Sequence, residues 1–293
     1  MTIFALLIAI GLYHFVNDLV RIRNNAWLHY FVAWANKRLS ILPGWPGATS
    51  FAVLLTLPLL VVLLLGWLAA DSLGKLGYFI FEVIVLVYCL GPRSLEPDLM
   101  AIINAKSNEE KRAAAVHITA EDLSKNKAEA GKQLTRAVFQ QALRRVFAII
   151  FWFAVLGVPG TVLYRLTYWL VEDSAQLGDR QRILFWRMRE VMEWPVAQLM
   201  TLALAIAADF DSVFSAWKKF HREQGHGLFE GDNGFLLAAA CQVVHSGHAA
   251  MNGFADQFGG RAAFVALAGD MIWRVLGVWL TVMALLLLTG AIA

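Results

Sequence analysis

Apolar residues in this chain are gathered into long blocks, separated by stretches that mix charged and aromatic positions. No charged residue occurs from Thr49 to Ala70, and about 20 apolar residues suffice to cross the hydrocarbon core of a bilayer. A short turn, Asp71 to Lys75, leads to a second apolar block over 76–91, so the two predict an antiparallel hairpin. The block Val146 to Leu170 is the longest aromatic and aliphatic run and carries a single charge, Arg165. It is interrupted at Gly157-Val158-Pro159-Gly160. Proline removes a backbone donor and disfavours helix at the residue before it, and glycine tolerates unusual backbone angles. Two readings stay open: one kinked span, or two half-helices that turn back at membrane depth. The second is tolerated only where protein or water satisfies the freed backbone groups. A last uncharged block, 275–293, predicts a C-terminal span.

The stretches between these blocks have helical spacing. Residues 1–13 form an apolar helix too short to span. In 14–48, Trp27, Tyr30, Phe31 and Trp34 recur at helical intervals beside Lys37 and Arg38. That pattern suits either a membrane interface or packing on a bundle. Residues 92–145 read as amphipathic helices, with a helix start at Thr119-Ala-Glu121-Asp122. Residues 171–271 are polar and amphipathic; within them 196–208 is apolar but shorter than a span, and 234–244 is an alanine-rich helix suited to close packing. No internal repeat is visible. The pattern predicts an all-α polytopic membrane protein with about four spanning or re-entrant segments and amphipathic helices at the membrane face. It forms one membrane domain over 1–293, divided as 1–91, 92–145, 146–170, 171–271 and 272–293.

Composition agrees. Hydrophobic residues make up 59% and charged residues 16% of the chain, and mean hydropathy is +0.58, whereas soluble domains carry about 25% charged residues. The implied partner is the lipid bilayer. A net charge of +3, without a long basic run, does not point to nucleic acid. Cys89 and Cys241 both lie in apolar surroundings and predict buried thiols. No basic region precedes the first apolar block and no small-residue cleavage site follows it, so no cleavable signal is expected. Lys and Arg are concentrated in 14–48 and 92–145, which places those segments in the cytoplasm and the 71–75 turn outside. The side of 171–271 depends on whether 146–170 crosses or returns.

Recognisable chemistry is sparse. Glu82 lies inside the second apolar block, where a carboxylate is costly and faces the bundle interior. There is no phosphate-binding glycine loop, nucleophile elbow or zinc-type spacing. His245 with His248, and His221 with His226, lack a clear third ligand, so no metal site is assigned.

The order of features resembles the AmpE proteins of bacterial inner membranes, encoded with the AmpD amidase and linked to β-lactamase induction. The resemblance rests on the start MTIF, GPRSLEPDL at 91–99, FWFAVLGVPGTVLYRLTYWL at 151–170 and MEWPVAQL at 192–199. It implies an inner-membrane accessory or sensor protein with a link to the AmpD-type pathway of peptidoglycan recycling. A more distant resemblance is to the CbiB/CobD cobalamin enzymes, which join an aminopropanol group to cobyric acid as an amide. Arg93-Ser94-Leu95, Val158-Pro159-Gly160 with Tyr164, Asp173-Ser174, and Gly231-Asp232-Asn233-Gly234 match motifs of those enzymes. That resemblance implies a shared pocket for Arg93 and Asp173, and so favours a chain that returns at Gly157.

The departures fall on the chemistry. His117-Ile-Thr-Ala-Glu121-Asp122 stands where the enzymes carry a Gly-Arg-Asp motif. Gln140, Gln141, Arg144 and Arg145 stand in their acidic segment, and Arg189-Glu190 replaces a pair of aspartates. ATP-dependent amide formation needs carboxylates for magnesium, so cobalamin activity is not expected. Arg93, Asp98, Glu121, Asp122, Asp173, Arg187, Glu190, Asp232 and Asn233 are the ligand-binding candidates; a salt-bridge network is the structural alternative. No catalytic residue or cofactor is assigned. The leading expectation is an AmpE-like accessory or sensor, and the alternative a CbiB/CobD-like enzyme forming an amide on another ligand. A transporter, suggested by Glu82 and the Gly-Pro break, ranks last because paired broken helices are not visible. The charge pattern makes a direct prediction. A single cysteine at Asp71 should react with a membrane-impermeant thiol reagent on intact cells, and one at Ser107 should not; the opposite labelling would reverse the orientation.

Overall fold

The structure, a computed structural model, describes residues 2–15, 26–41, 43–45, 47–90, 95–119, 122–124, 126–172, 177–224, 233–250 and 261–289. Most of these residues are helical, with no strand among them. The elements are α1 (Thr2–Phe15), α2 (Ala26–Leu39), α3 (Ala48–Cys89), α4 (Leu95–Asn104), α5 (Asn108–Ala115), α6 (Lys127–Ala142), a π-helical turn (Leu143–Phe147), α7 (Ala148–Glu172), α8 (Asp179–Ala207), α9 (Phe210–Gln224), α10 (Gly234–Ala250) and α11 (Arg261–Leu288). Among the described residues, four stretches are long and apolar enough to cross a membrane: Ala48–Cys89, Ala128–Glu172, Asp179–Ala207 and Ala262–Leu286. Two of them correct the sequence reading. The apolar run 196–208 is the second half of α8, because the helix starts at Asp179 and carries Pro195 inside it. The C-terminal helix begins at Arg261, well before the uncharged block, with Asp270 and Arg274 inside it.

The chain forms two compact units, one built mainly from Met1–Arg93 and Ala148–Met192, the other from Ser94–Phe147 and Glu193–Ala291. In the first unit α3 and α7 pack together, and each is broken at a single glycine. Gly74 has φ 61° and ψ −144°, and Gly157 has φ 67° and ψ −150°. A residue with a Cβ resists that region, so glycine is the natural occupant. Both breaks reverse the chain. A Cβ at Gly77 would collide with the carbonyl oxygen of Ala69, and the ring of Phe81 lies 3.0 Å from the Cβ position of Gly66. A Cβ at Gly160 would sit 2.6 Å from the carbonyl oxygen of Trp152 and 2.5 Å from Cβ of Leu156. In a straight helix residues eight apart are roughly 12 Å apart along the axis. The central segment is therefore a pair of half-helices, not one kinked span.

The two reversals share one sequence pattern, Leu73-Gly74-Lys75-Leu76-Gly77 and Leu156-Gly157-Val158-Pro159-Gly160. This repetition, absent from the sequence reading, pairs the broken helices that the reading did not find. Each return arm, 75–89 and 158–172, has fifteen residues. At the eighth position after each positive-φ glycine stands an ionisable residue, Glu82 in one arm and Arg165 in the other. Both are buried, at 6% and 1% exposure. The Arg165 guanidinium lies over Tyr168 and Trp169, 4.9 and 5.1 Å from the ring centroids, a favourable use of aromatic faces by a desolvated cation. Around the hairpins, Phe51 packs on Phe185, Trp152 Nε1 donates to the Met192 carbonyl, and Gln181 donates to Asn36.

In the second unit, α11 packs on α6 and α4, and α10 packs on α9 and α6. Asn126 caps α6 by accepting from the Ala128 amide, and Ser107 with Glu110 forms a capping box on α5. Asp209 precedes α9 and accepts from both the amide and the hydroxyl of Ser212. The hydroxyl contact chiefly holds its carboxyl below the ordinary range. A row of rings, Phe210, Phe214 and Trp217, stacks along α9.

The reversals predict a specific sensitivity. Gly160→Val overpacks the approach of the two arms and should cost about 1–3 kcal/mol, lowering the thermal midpoint of the purified protein in detergent. An unchanged midpoint would contradict the close approach.

Candidate functional site

The π-turn at Leu143–Phe147 is the local irregularity around which the polar groups of the second unit gather. A π-turn widens the helix by one residue and marks functional positions more often than ordinary helix does. Arg145, 8% exposed, extends one nitrogen, Nη1, to Asp98 Oδ2 at 2.8 Å. Its Nη2 donates to the His117 carbonyl at 3.1 Å and its Nε to Gln141 Oε1 at 2.8 Å. Gln141 in turn donates to the Ile118 carbonyl. Arg144 Nε donates to Glu193 Oε1 at 3.1 Å, and Asn233 Nδ2 donates to Glu193 Oε2 at 3.2 Å. Asp98 and Glu193 are almost fully buried. Asn233 Oδ1 is buried without a hydrogen-bond partner among the described residues.

Each placement has a local cause. Asp98 lies in the first turn of α4, where a carboxylate suits the exposed amides of the helix start. Glu193 sits midway along α8, just before Pro195. Asn233 immediately precedes α10. Arg144 and Arg145 are consecutive, yet each reaches a different carboxylate.

The predicted site residues distribute unevenly. Asp98 and Asn233 belong to this cluster. Asp122 is in the same unit but exposed. Arg187 and Glu190 belong to the first unit, where Arg187 is exposed and Glu190 is half-buried, 3.9 Å from Arg189. Arg189 also reaches Glu172 at 3.3 Å. Glu82 lies in the first hairpin, buried. Arg93, Glu121, Asp173 and Asp232 lie outside the described residues, and with them the shared pocket of Arg93 and Asp173. Arg144, Arg145, Gln141 and Glu193 complete the cluster. The first three stood out in the sequence only as departures from an acidic pattern. Glu193 was not singled out in the sequence; its place just before Pro195 and the apolar run 196–208 was the available signal.

The magnesium implied by the cobalamin enzymes can be tested against this donor set. Asp98 and Glu193 are each engaged by a guanidinium, so a divalent cation there would face two adjacent positive charges. No three His, Cys, Asp or Glu residues converge to hold a metal among the described residues. The described residues of this cluster do not fit the ion.

Fold and cluster together define a multi-pass helical membrane protein with a buried arginine–carboxylate network. The chain is 29% identical over 245 residues to the "Cobalamin biosynthesis protein CobD" of Stutzerimonas stutzeri (strain A1501), covering 78% of each chain. No family model matches the chain, and no solved structure matches it. The similarity falls on the CbiB/CobD side of the expected resemblance and lends no support to the AmpE side.

The network predicts an asymmetry. Arg145→Met leaves the Asp98 carboxylate buried beside an apolar chain and should destabilise the protein by about 3–5 kcal/mol, whereas adding Asp98→Leu should recover most of that loss. Chemical unfolding of both variants checks it; equal losses would mean the pair is not the anchor of the cluster.

Proposed function

We propose that this chain is a CobD-like membrane protein whose polar cluster serves a small polar ligand other than cobyric acid. One observation carries the reading: its similarity to a CobD protein extends over 78% of both chains, far more than single motifs. Arg144 and Arg145 argue against the parent reaction, because they hold the carboxylates that magnesium–nucleotide chemistry would need. What the cluster offers instead is guanidinium forks and an amide. Arginine matches a planar carboxylate with paired donors, so a ligand bearing a carboxylate would compete with Asp98 or Glu193 for a guanidinium. Asn233 Oδ1 supplies an acceptor beside it. The enzymatic form of this reading is amide formation on that carboxylate.

The narrower reading is an AmpE-like accessory or sensor of the bacterial inner membrane, linked to an AmpD-type amidase, peptidoglycan recycling and β-lactamase induction. It rests on motif order alone. Binding of a polar ligand without turnover is the point at which the two readings meet.

Expression in a strain lacking its CobD-type enzyme tests the departure from cobyric acid. The chain should fail to restore cobalamin-dependent growth although it accumulates in the membrane. Robust restoration would contradict the proposal and return the cobalamin reaction to this chain.

A further inference from the structure

Helix α2 has two faces of different character. Leu28, Val32 and Ala35 are buried, and α2 packs on α3. The other face carries Trp27, Tyr30 and Trp34; Tyr30 is 78% and Trp34 48% exposed. Phe31 stacks on Trp34 with ring centroids 6.1 Å apart, so the rings form a row along the helix. Lys37 and Arg38 follow in the last turn, both exposed. No acid offsets them, since no Asp or Glu occurs between Asp18 and Asp71. Packing on the bundle accounts for the Leu28 face and leaves the ring face outward.

Hydrogen bonds at both ends set the level of α2 in the first unit. Trp27 Nε1 donates to Tyr88 Oη at 2.8 Å, next to Cys89, the last residue of α3. Asn36 Oδ1 accepts from Trp45 Nε1 at 3.2 Å, just before α3 begins at Ala48. The same oxygen accepts from Gln181 Nε2 at 3.4 Å, in the first turn of α8. Charged residues resume at these helix ends: Arg93 follows α3, Glu172 closes α7 and Asp179 opens α8. Helices α3 and α8 are both long and apolar enough to cross a bilayer, so α2 is held where the chain leaves the hydrocarbon.

The residue types on the outward face suit that level. Indole and phenol rings favour the boundary between acyl chains and headgroups. A helix with rings and basic residues on its outer side lies in that boundary, held by apolar contact and by attraction to anionic lipid. Long cationic side chains reach from the apolar level to the phosphates. Each Lys or Arg close to an anionic surface is worth about fivefold in binding. We propose that the outward face of α2 is a binding surface for anionic phospholipid, with Trp27, Tyr30 and Trp34 at the acyl boundary and Lys37 and Arg38 on the phosphates. The leaflet agrees with the charge pattern along the chain, because the cytoplasmic leaflet presents the negative surface.

Photoreactive phosphatidylglycerol and phosphatidylcholine, compared in nanodiscs that hold the full chain, read both the surface and its selectivity. At low salt the anionic probe should label 27–41 about tenfold more than the zwitterionic probe, and added salt should shrink the excess. Lys37→Gln combined with Arg38→Gln should remove most of that excess, whereas Lys37→Arg should keep it. Both side chains are exposed, and labelling of Leu63 to Leu65, exposed on α3, should stay unchanged in every variant. A photoreactive amino acid at Tyr30, activated in intact cells, should yield lipid adducts. Equal labelling by the two probes, no adducts on α2, or an unchanged excess in the double variant would overturn the proposal. Crosslinks from position 30 to a second copy of the chain or to another protein would make the face a protein contact and overturn it as well.

Discussion

In a hydrocarbon layer every backbone amide and carbonyl must find its partner inside the protein, and this chain meets that demand with helices that reverse at glycine. The reversal at Gly157 is the constraint on which the first unit depends. It brings Gly160 against Trp152, places α7 against α3, and presents Arg165 to the rings that shield it. The same geometry at Gly74 sets the first hairpin. Pro159 in one turn and Leu76 at the matching place in the other show that Pro159 is not what bends the chain; the positive-φ glycine and the bare Cα of the following glycine do that in both.

The second unit solves a different problem. Its helices bury two carboxylates, and a buried carboxylate is tolerated only with a partner. The π-turn supplies partners by offering two consecutive arginines, one to Asp98 and one to Glu193. A pair of this kind contributes little net stability against an apolar substitute, so it is weak evidence of stability. The same arginines make the cluster unsuited to a divalent cation. The similarity to a CobD protein therefore stands beside a cluster whose carboxylates are held by arginines.

Much of the fold was legible because apolar blocks report directly on membrane helices. The first hairpin followed from an uncharged run, a short polar turn and a second run. The break at Gly157 was equally visible, but its outcome was not, since a kink and a reversal have the same residue types and differ only in whether Gly160 touches Trp152. The repeated Leu-Gly-x-x-Gly turn escaped notice because its flanks share spacing rather than letters. α8 was underestimated because its first half is charged, and charge along one face does not end a helix. In the site, Asp98 and Asn233 were found from a resemblance, whereas Glu193 as the partner of Arg144 required distances between residues far apart in sequence.

The return of the chain at Gly157 is tested most directly by a distance. With spin labels at Phe151 and Tyr168, a continuous helix would hold the labels about 25 Å apart. Reversed arms hold them near the separation of packed helices, whose axes lie about 8–10 Å apart. Strong dipolar broadening in bilayer nanodiscs is the predicted result, and a distribution centred near 25 Å would contradict the reversal.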